Sequence, residues 1–182
     1  KNTLLAFNTE DGSLAWQLEI GEDRGNKHKK GSGSNPSAVI EGDLVFAYFR
    51  SGDLACVDKQ GSQKWKINLQ EQFGEDTLWW DLGSSPTMTQ NAIVVAVMQT
   101  GPSYLVAFDK QPGEQLWKTD RMLEAPEEAA QSYSTPIRVT ITGEPALAVM
   151  GADHLTLHRA SDGMELSRLG GFNPNDEQFF RS

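Results

Sequence analysis

Trp79 and Trp80 are adjacent in a segment that also carries Glu75, Asp76 and Asp81. Paired indoles give large contact area at low entropic cost, which suits a protein-binding anchor or a sugar-stacking platform; burial in the wall of a scaffold is the competing outcome. Arg24, Lys27, His28, Lys29 and Lys30 form a second group. They make either a solvated basic loop or a local site for an anion or acidic partner. Glu124, Glu127, Glu128 and Tyr133 form a third, read as an acidic solvated loop beside an aromatic ring. His154 and His158 are four residues apart in a strand-like run and so share a face. No third ligand accompanies them, so packing is expected and a metal site is not. Cys56 stands alone, in an apolar strand, and reads as a small core residue. No glycine-rich phosphate loop opens a helix, and no Ser/His/Asp order can be argued from spacing. No catalytic residue is therefore expected.

The elements that position these groups repeat. Pro36, Pro86 and Pro136 each follow a polar Ser-rich step and are spaced 50 and 50. Leu54 to Asp58, Leu105 to Asp109 and Leu155 to Arg159 form a second landmark, which Leu4 to Asn8 also fits. A third is Gly followed by Trp: Gly12 and Trp16, Gly61 and Trp65, Gly113 and Trp117, then a degenerate Gly163 and Ser167. Within each unit, short β-branched and aromatic runs alternate with Gly, Asp and Asn, residues that tolerate the positive φ of tight turns. Each unit therefore reads as a four-stranded antiparallel meander. Only Met122 to Gln131 has the composition for a short helical turn. Four short strands per 40 to 50 residues is the signature of a β-propeller blade. The expectation is an all-β chain, a single partial β-propeller over 1–182 of about three and a half blades: a half blade at about 1–20, units at 34–69, 84–120 and 134–169, and a lead-in to a further blade at 170–182. Both ends read as interior to a longer protein, and the open blade edges as surfaces for self-association.

The connectors between units, 19–33, 68–83 and 119–132, exceed the usual two to six residues. In a propeller they gather on one face, and long loops on a rigid scaffold are where binding resides. They carry the candidate binding residues Arg24, Lys29, Trp79, Trp80, Asp81 and Tyr133.

Composition narrows the partners. With 16 Lys and Arg against 25 Asp and Glu, the net charge is −9 in 182 residues, which argues against nucleic acid or an anionic membrane as partner. The longest apolar run, Ala92 to Met98, is too short to span a bilayer. One cysteine allows no intrachain disulfide.

The pattern Ala-x-Asp-x-x-x-Gly-x-x-x-Trp from Ala107 through Asp109 and Gly113 to Trp117 resembles the pyrroloquinoline-quinone-type repeat, as do Ala6 to Trp16 and, one residue shorter, Cys56 to Trp65. The resemblance covers about residues 4 to 169. This repeat is shared by quinoprotein alcohol dehydrogenases and by a non-enzymatic outer-membrane β-barrel assembly lipoprotein family, and the chain is closer to the latter. The resemblance implies that Trp16, Trp65 and Trp117 dock between blades while Gly12, Gly61 and Gly113 make the turns that present them. Quinone enzymes of this kind use a vicinal cysteine pair, a calcium held by Glu, Asn and Asp, and a catalytic Asp. A lone Cys56 excludes the pair within this chain. The resemblance thus implies a periplasmic or extracellular, non-catalytic scaffold without cofactor, recognising protein or carbohydrate through inter-blade loops. The alternative is a segment of an alcohol or sugar dehydrogenase that takes pyrroloquinoline quinone and calcium in a complete ring.

Overall fold

Runs rich in Val, Ile, Leu and Phe, each cut by a Gly- or Asp-containing turn, fold here as successive antiparallel hairpins. A computed structural model of the chain describes residues 1–25, 28–29 and 31–173. β1 (Asn2–Phe7) and β2 (Leu14–Gly21) form a two-stranded sheet. β3 (Val39–Glu41), β4 (Leu44–Tyr48), β5 (Asp53–Asp58) and β6 (Gln63–Asn68) form a four-stranded meander. The helix α1 (Leu69–Phe73) follows. β7 (Thr87–Met88), β8 (Ala92–Val97), β9 (Tyr104–Asp109) and β10 (Gln115–Asp120) repeat the meander, and the single turn α2 (Glu127–Ala130) follows it. β11 (Ile137–Ile141), β12 (Glu144–Gly151), β13 (His154–Arg159) and β14 (Glu165–Gly170) complete a third. The expected all-β architecture of antiparallel four-stranded blades is present, and α2 falls inside the expected helical stretch. The first and third connectors start later than expected, because β2 runs on to Gly21 and β10 to Asp120, and they end later, because β3 begins at Val39 and β11 at Ile137. Residues 174–182, in the expected lead-in to a further blade, lie outside the described residues, as do Lys27 and Lys30.

In the two middle sheets the inner strands are apolar on both faces because a neighbouring sheet covers each side. In β4, Phe46 and Tyr48 pack toward Ile93, Val95 and Phe108 of the following sheet, while Val45 and Ala47 pack toward Leu4, Trp16 and Ile20 of the preceding one. On the far side of the β7–β10 sheet, Val94, Ala96 and Leu105 meet Leu147 and Val149 of β12. Burying one such Leu or Phe side chain contributes about 1.5–3 kcal/mol.

The repeat period reappears as hydrogen bonds between neighbouring inner segments. Ser84 Oγ donates to the Ser134 carbonyl at 2.9 Å, and Ser85 N–H to Thr135 Oγ1 at 2.9 Å. The Thr87 hydroxyl reaches the Pro136 carbonyl at 2.6 Å, and Ser37 N–H reaches Ser85 Oγ at 2.9 Å.

The tryptophan–glycine pattern is an inter-blade joint. Trp16 Nε1 donates to the Lys59 carbonyl at 2.7 Å, and Trp65 Nε1 to the Lys110 carbonyl at 3.0 Å. A Cβ placed on Gly61 would lie 2.8 Å from the Trp16 ring, and one on Gly113 2.7 Å from the Trp65 ring. Each glycine does turn the chain, at φ +85 and +75, but it also seats the tryptophan of the blade before it. Gly12 has no neighbour within 4 Å of its Cβ position. The last joint departs from the pattern. Trp117 still faces Gly163, yet its buried Nε1 finds no acceptor, and the Thr119 hydroxyl takes the Gly163 carbonyl at 3.0 Å instead.

Candidate functional site on the connector face

The second connector is held in place by α1. Asn68 caps the helix, its side chain accepting from Gln70 N–H and Glu71 N–H, and fully buried Leu69 pins it to the core. Gln70 Nε2 then donates to the Arg50 carbonyl at 2.8 Å and to Asp76 Oδ2 at 2.7 Å. Asp76 also accepts from Arg24 and from Leu78 N–H, which turns the chain toward Trp79.

Asp81 is the hub. It adopts φ +67, a left-handed conformation that Asp tolerates better than most residues. Its Oδ1 lies 3.0 Å from Arg50 Nη2, with only 7% and 6% of the two side chains exposed. Its Oδ2 accepts from His28 N–H at 2.8 Å. Arg50 Nη1 donates to the Gly25 carbonyl at 2.9 Å. A charge pair this deep is tolerated because hydrogen bonds occupy both partners. Gly31 approaches so closely that a Cβ would lie 2.5 Å from Asp81 Oδ2, so only glycine fits there.

Arg24, His28, Arg50, Asp76, Trp79 and Asp81 line a mostly polar recess of about 360 Å³. Trp79, which lines it, and the neighbouring Trp80 are 46% and 40% exposed respectively. Within this chain neither is packed in the core. The His28 ring meets Trp80 edge-on with centroids 4.6 Å apart. Trp79 N–H donates to Gln131 Oε1 at 3.0 Å, and the Tyr133 hydroxyl donates to the same oxygen at 2.9 Å. Burial raises the Tyr133 hydroxyl pKa, so it stays protonated. Of the sequence-derived candidates, Arg24, Trp79, Trp80, Asp81 and Tyr133 converge on one network. Lys29 is an exposed turn residue.

Arg50, Gln70 and Gln131 were missed by sequence reasoning. Asp81 and Gln131 each stand five residues before a repeat proline, and each accepts a backbone N–H from the preceding connector. That shared position is a legible signal. Asn68 followed by Glu71 is likewise a capping pattern. The third connector is less solvated than expected, because α2 turns Glu128 inward with Ala129.

The remaining candidates resolve as packing. His158 is fully buried, with Nε2 2.9 Å from Thr156 Oγ1 and Nδ1 3.1 Å from the Gly163 carbonyl. His154 Nδ1 contacts the Ala152 carbonyl. Cys56 is enclosed between Phe46 and Trp65, and burial pushes its thiol up to about 11. Cys56 is sealed in the core, and among the described residues no three His, Cys, Asp or Glu side chains converge.

No helix among the described residues is long and apolar enough to cross a membrane. Among solved structures, the chain is similar to the quinohemoprotein alcohol dehydrogenase of Comamonas testosteroni, with TM-score 0.67, 12% identity, and coverage of 92% of this chain and 32% of that one. It is similar to the quinohemoprotein alcohol dehydrogenase ADHIIG of Pseudomonas putida HK5, with TM-score 0.61, 12% identity, and coverage of 92% and 31%. It is also similar to BamB of Moraxella catarrhalis, with TM-score 0.57, 15% identity, and coverage of 92% and 42%. At these identities the likeness is one of fold, and the chain spans between 31% and 42% of these proteins. No curated protein sequence matches the chain. The family profile described as outer membrane protein assembly factor BamB matches residues 1–169. With the repeat, the blades and the tryptophan joints in place, the chain belongs to that family of pyrroloquinoline-quinone-type repeat propellers.

Proposed function

We propose that the chain is part of a non-catalytic β-propeller whose connector face binds a protein partner through Trp79 and Trp80. The observation that carries this reading is the pair of half-exposed indoles at the rim of a recess whose charges are already paired inside it. Asp76 and Asp81 accept from Arg24, Gln70, Arg50 and His28 N–H, so they are poorly placed to receive sugar hydroxyls. What remains accessible is amphipathic aromatic surface within a polar surround, the composition of a protein-binding hot spot. Family membership supports a partner from outer membrane protein assembly and a periplasmic location.

The test uses the intact protein, titrated with pyrroloquinoline quinone and calcium while dye-linked alcohol oxidation is followed. No quinone-dependent turnover is expected. Turnover that depends on the quinone would sink the scaffold reading in favour of a dehydrogenase. In parallel, replacing Trp79 and Trp80 together by Ala is expected to weaken partner capture and leave the melting temperature nearly unchanged.

A further inference from the structure

Arg121 occupies a slot that the repeat gives elsewhere to a hydrocarbon. Its N–H donates to the Ser103 carbonyl at 2.7 Å, as Leu69 N–H donates to the Gly52 carbonyl at 2.9 Å one blade earlier. Leu69 and Arg121 are both buried, the latter with 1% exposure. A guanidinium in that slot must be compensated, because burying a charge without a partner is costly. The compensation is incomplete. Nε donates to Thr156 Oγ1 at 2.9 Å, and Nη2 faces the carbonyls of Gly151 and His154 at 3.0 Å and of Val149 at 3.3 Å. Nη1 has only the weakly accepting sulfur of Met98, at 3.5 Å. Every one of these groups is neutral. Arg50 and Lys110, the other buried cations among the described residues, each hold a carboxylate, Asp81 and Glu41 respectively. The acidic group whose field reaches Arg121, Glu165, is held at both oxygens by Arg168. Burial pushes the Arg121 pKa down to about 10, which still leaves the side chain charged at neutral pH.

Arg121 also lines a recess of about 340 Å³ on the connector face, separate from the one beneath Trp79. Met98, Met122, Leu123, Ala125 and Ala130 form its apolar walls. Glu127 borders it as well. A buried cation without a carboxylate partner, beside a recess whose walls are part apolar and part polar, is complementary to an anion that carries a short hydrocarbon body. We propose that this recess binds a carboxylate on a small apolar residue, with the carboxylate completing the Nη1 side of Arg121. The C-terminal residue of a peptide and a free short-chain organic acid share this chemistry. The proposal does not rest on the reading of Trp79 and Trp80.

The test is calorimetric titration of the intact protein with N-acetyl-Ala-Val bearing a free carboxylate, with its C-terminal amide, and with butyrate. At least one carboxylate is expected to bind, and the amide at least tenfold more weakly than the acid, since charge-assisted hydrogen bonds are about twice as strong as neutral ones. Tighter binding of the peptide acid identifies a peptide terminus as the ligand, and tighter binding of butyrate a free acid. Ala125→Trp, which fills the recess without removing Arg121, is expected to abolish binding while the melting temperature holds; it keeps the test decisive if Arg121→Met fails to fold. Silence of both carboxylates, equal binding of the amide, or binding that survives Ala125→Trp overturns the proposal.

Discussion

Gly113→Ala tests the inter-blade joint with a magnitude that can be worked from geometry. At φ +75 an alanine sits in the left-handed region, which costs about 1–2 kcal/mol. The new methyl would also lie 2.7 Å from Trp65 Cδ2 and 2.8 Å from Cγ. These are atoms of a rigid ring whose Nε1 is tied to the Lys110 carbonyl, so the ring cannot swing away without breaking that bond. Overpacking of this kind costs a further amount of about 1–3 kcal/mol. Gly42→Ala is the control. Gly42 has φ +57 and nothing within 4 Å of its Cβ position, so it carries the backbone cost alone. The effect of a Gly-to-Ala change on the unfolded chain is common to both and cancels. The two variants should therefore differ by about 1–3 kcal/mol, or about 2–12 °C in melting temperature for a chain of this size. Thermal and urea unfolding followed by tryptophan fluorescence measures the difference. Equal losses in the two variants would refute the claim that Gly113 seats the tryptophan of the preceding blade.

Arg50→Ala should cost about 3–5 kcal/mol, because it leaves the Asp81 carboxylate buried without its cation; in urea unfolding the double variant Arg50→Ala/Asp81→Ala should lose less than the sum of the single changes. Thr142 is exposed at φ +49 in the tight turn between β11 and β12, where a β-branched residue is strained, so Thr142→Asn should raise stability by about 1 kcal/mol in the same assay. Burial lowers the pKa of His158 below its ordinary 6.5, so on acidification the unfolded chain takes up a proton that the folded chain resists. That contribution to stability is present above 6.5 and is lost as pH falls through the lowered folded value; unfolding of the parent and of His158→Gln at about pH 7.5 and about pH 5.5 should show a shallower pH dependence in the variant.

Most of the fold was legible because the repeat writes it several times. Prolines at 36, 86 and 136 mark the inner segments, and the hydrogen bonds from Ser84 to Ser134 and Ser85 to Thr135 are that spacing made physical. The tryptophans were legible as joints, but not the rule that each is seated on the glycine of the next unit, since the contact is non-local and the motif is local. The candidate site was half legible. Trp79, Trp80, Asp81 and Tyr133 announce themselves by residue type. Arg50 follows an apolar run without any signal, and its role appears only when the left-handed turn at Asp81 brings the carboxylate back over it. Arg121 was hidden for a related reason: a charged residue at the end of a strand reads as solvated until the neighbouring blade closes over it.

The central claim is that the connector face binds protein at Trp79 and Trp80. Site-specific photo-crosslinking in cells tests it most directly, with the photoreactive residue at position 80 of the intact protein and, as control, at exposed Leu116 on the outer strand β10. The account predicts a discrete protein adduct from position 80 and none from position 116. No adduct from position 80, or the same adduct from both positions, would contradict it.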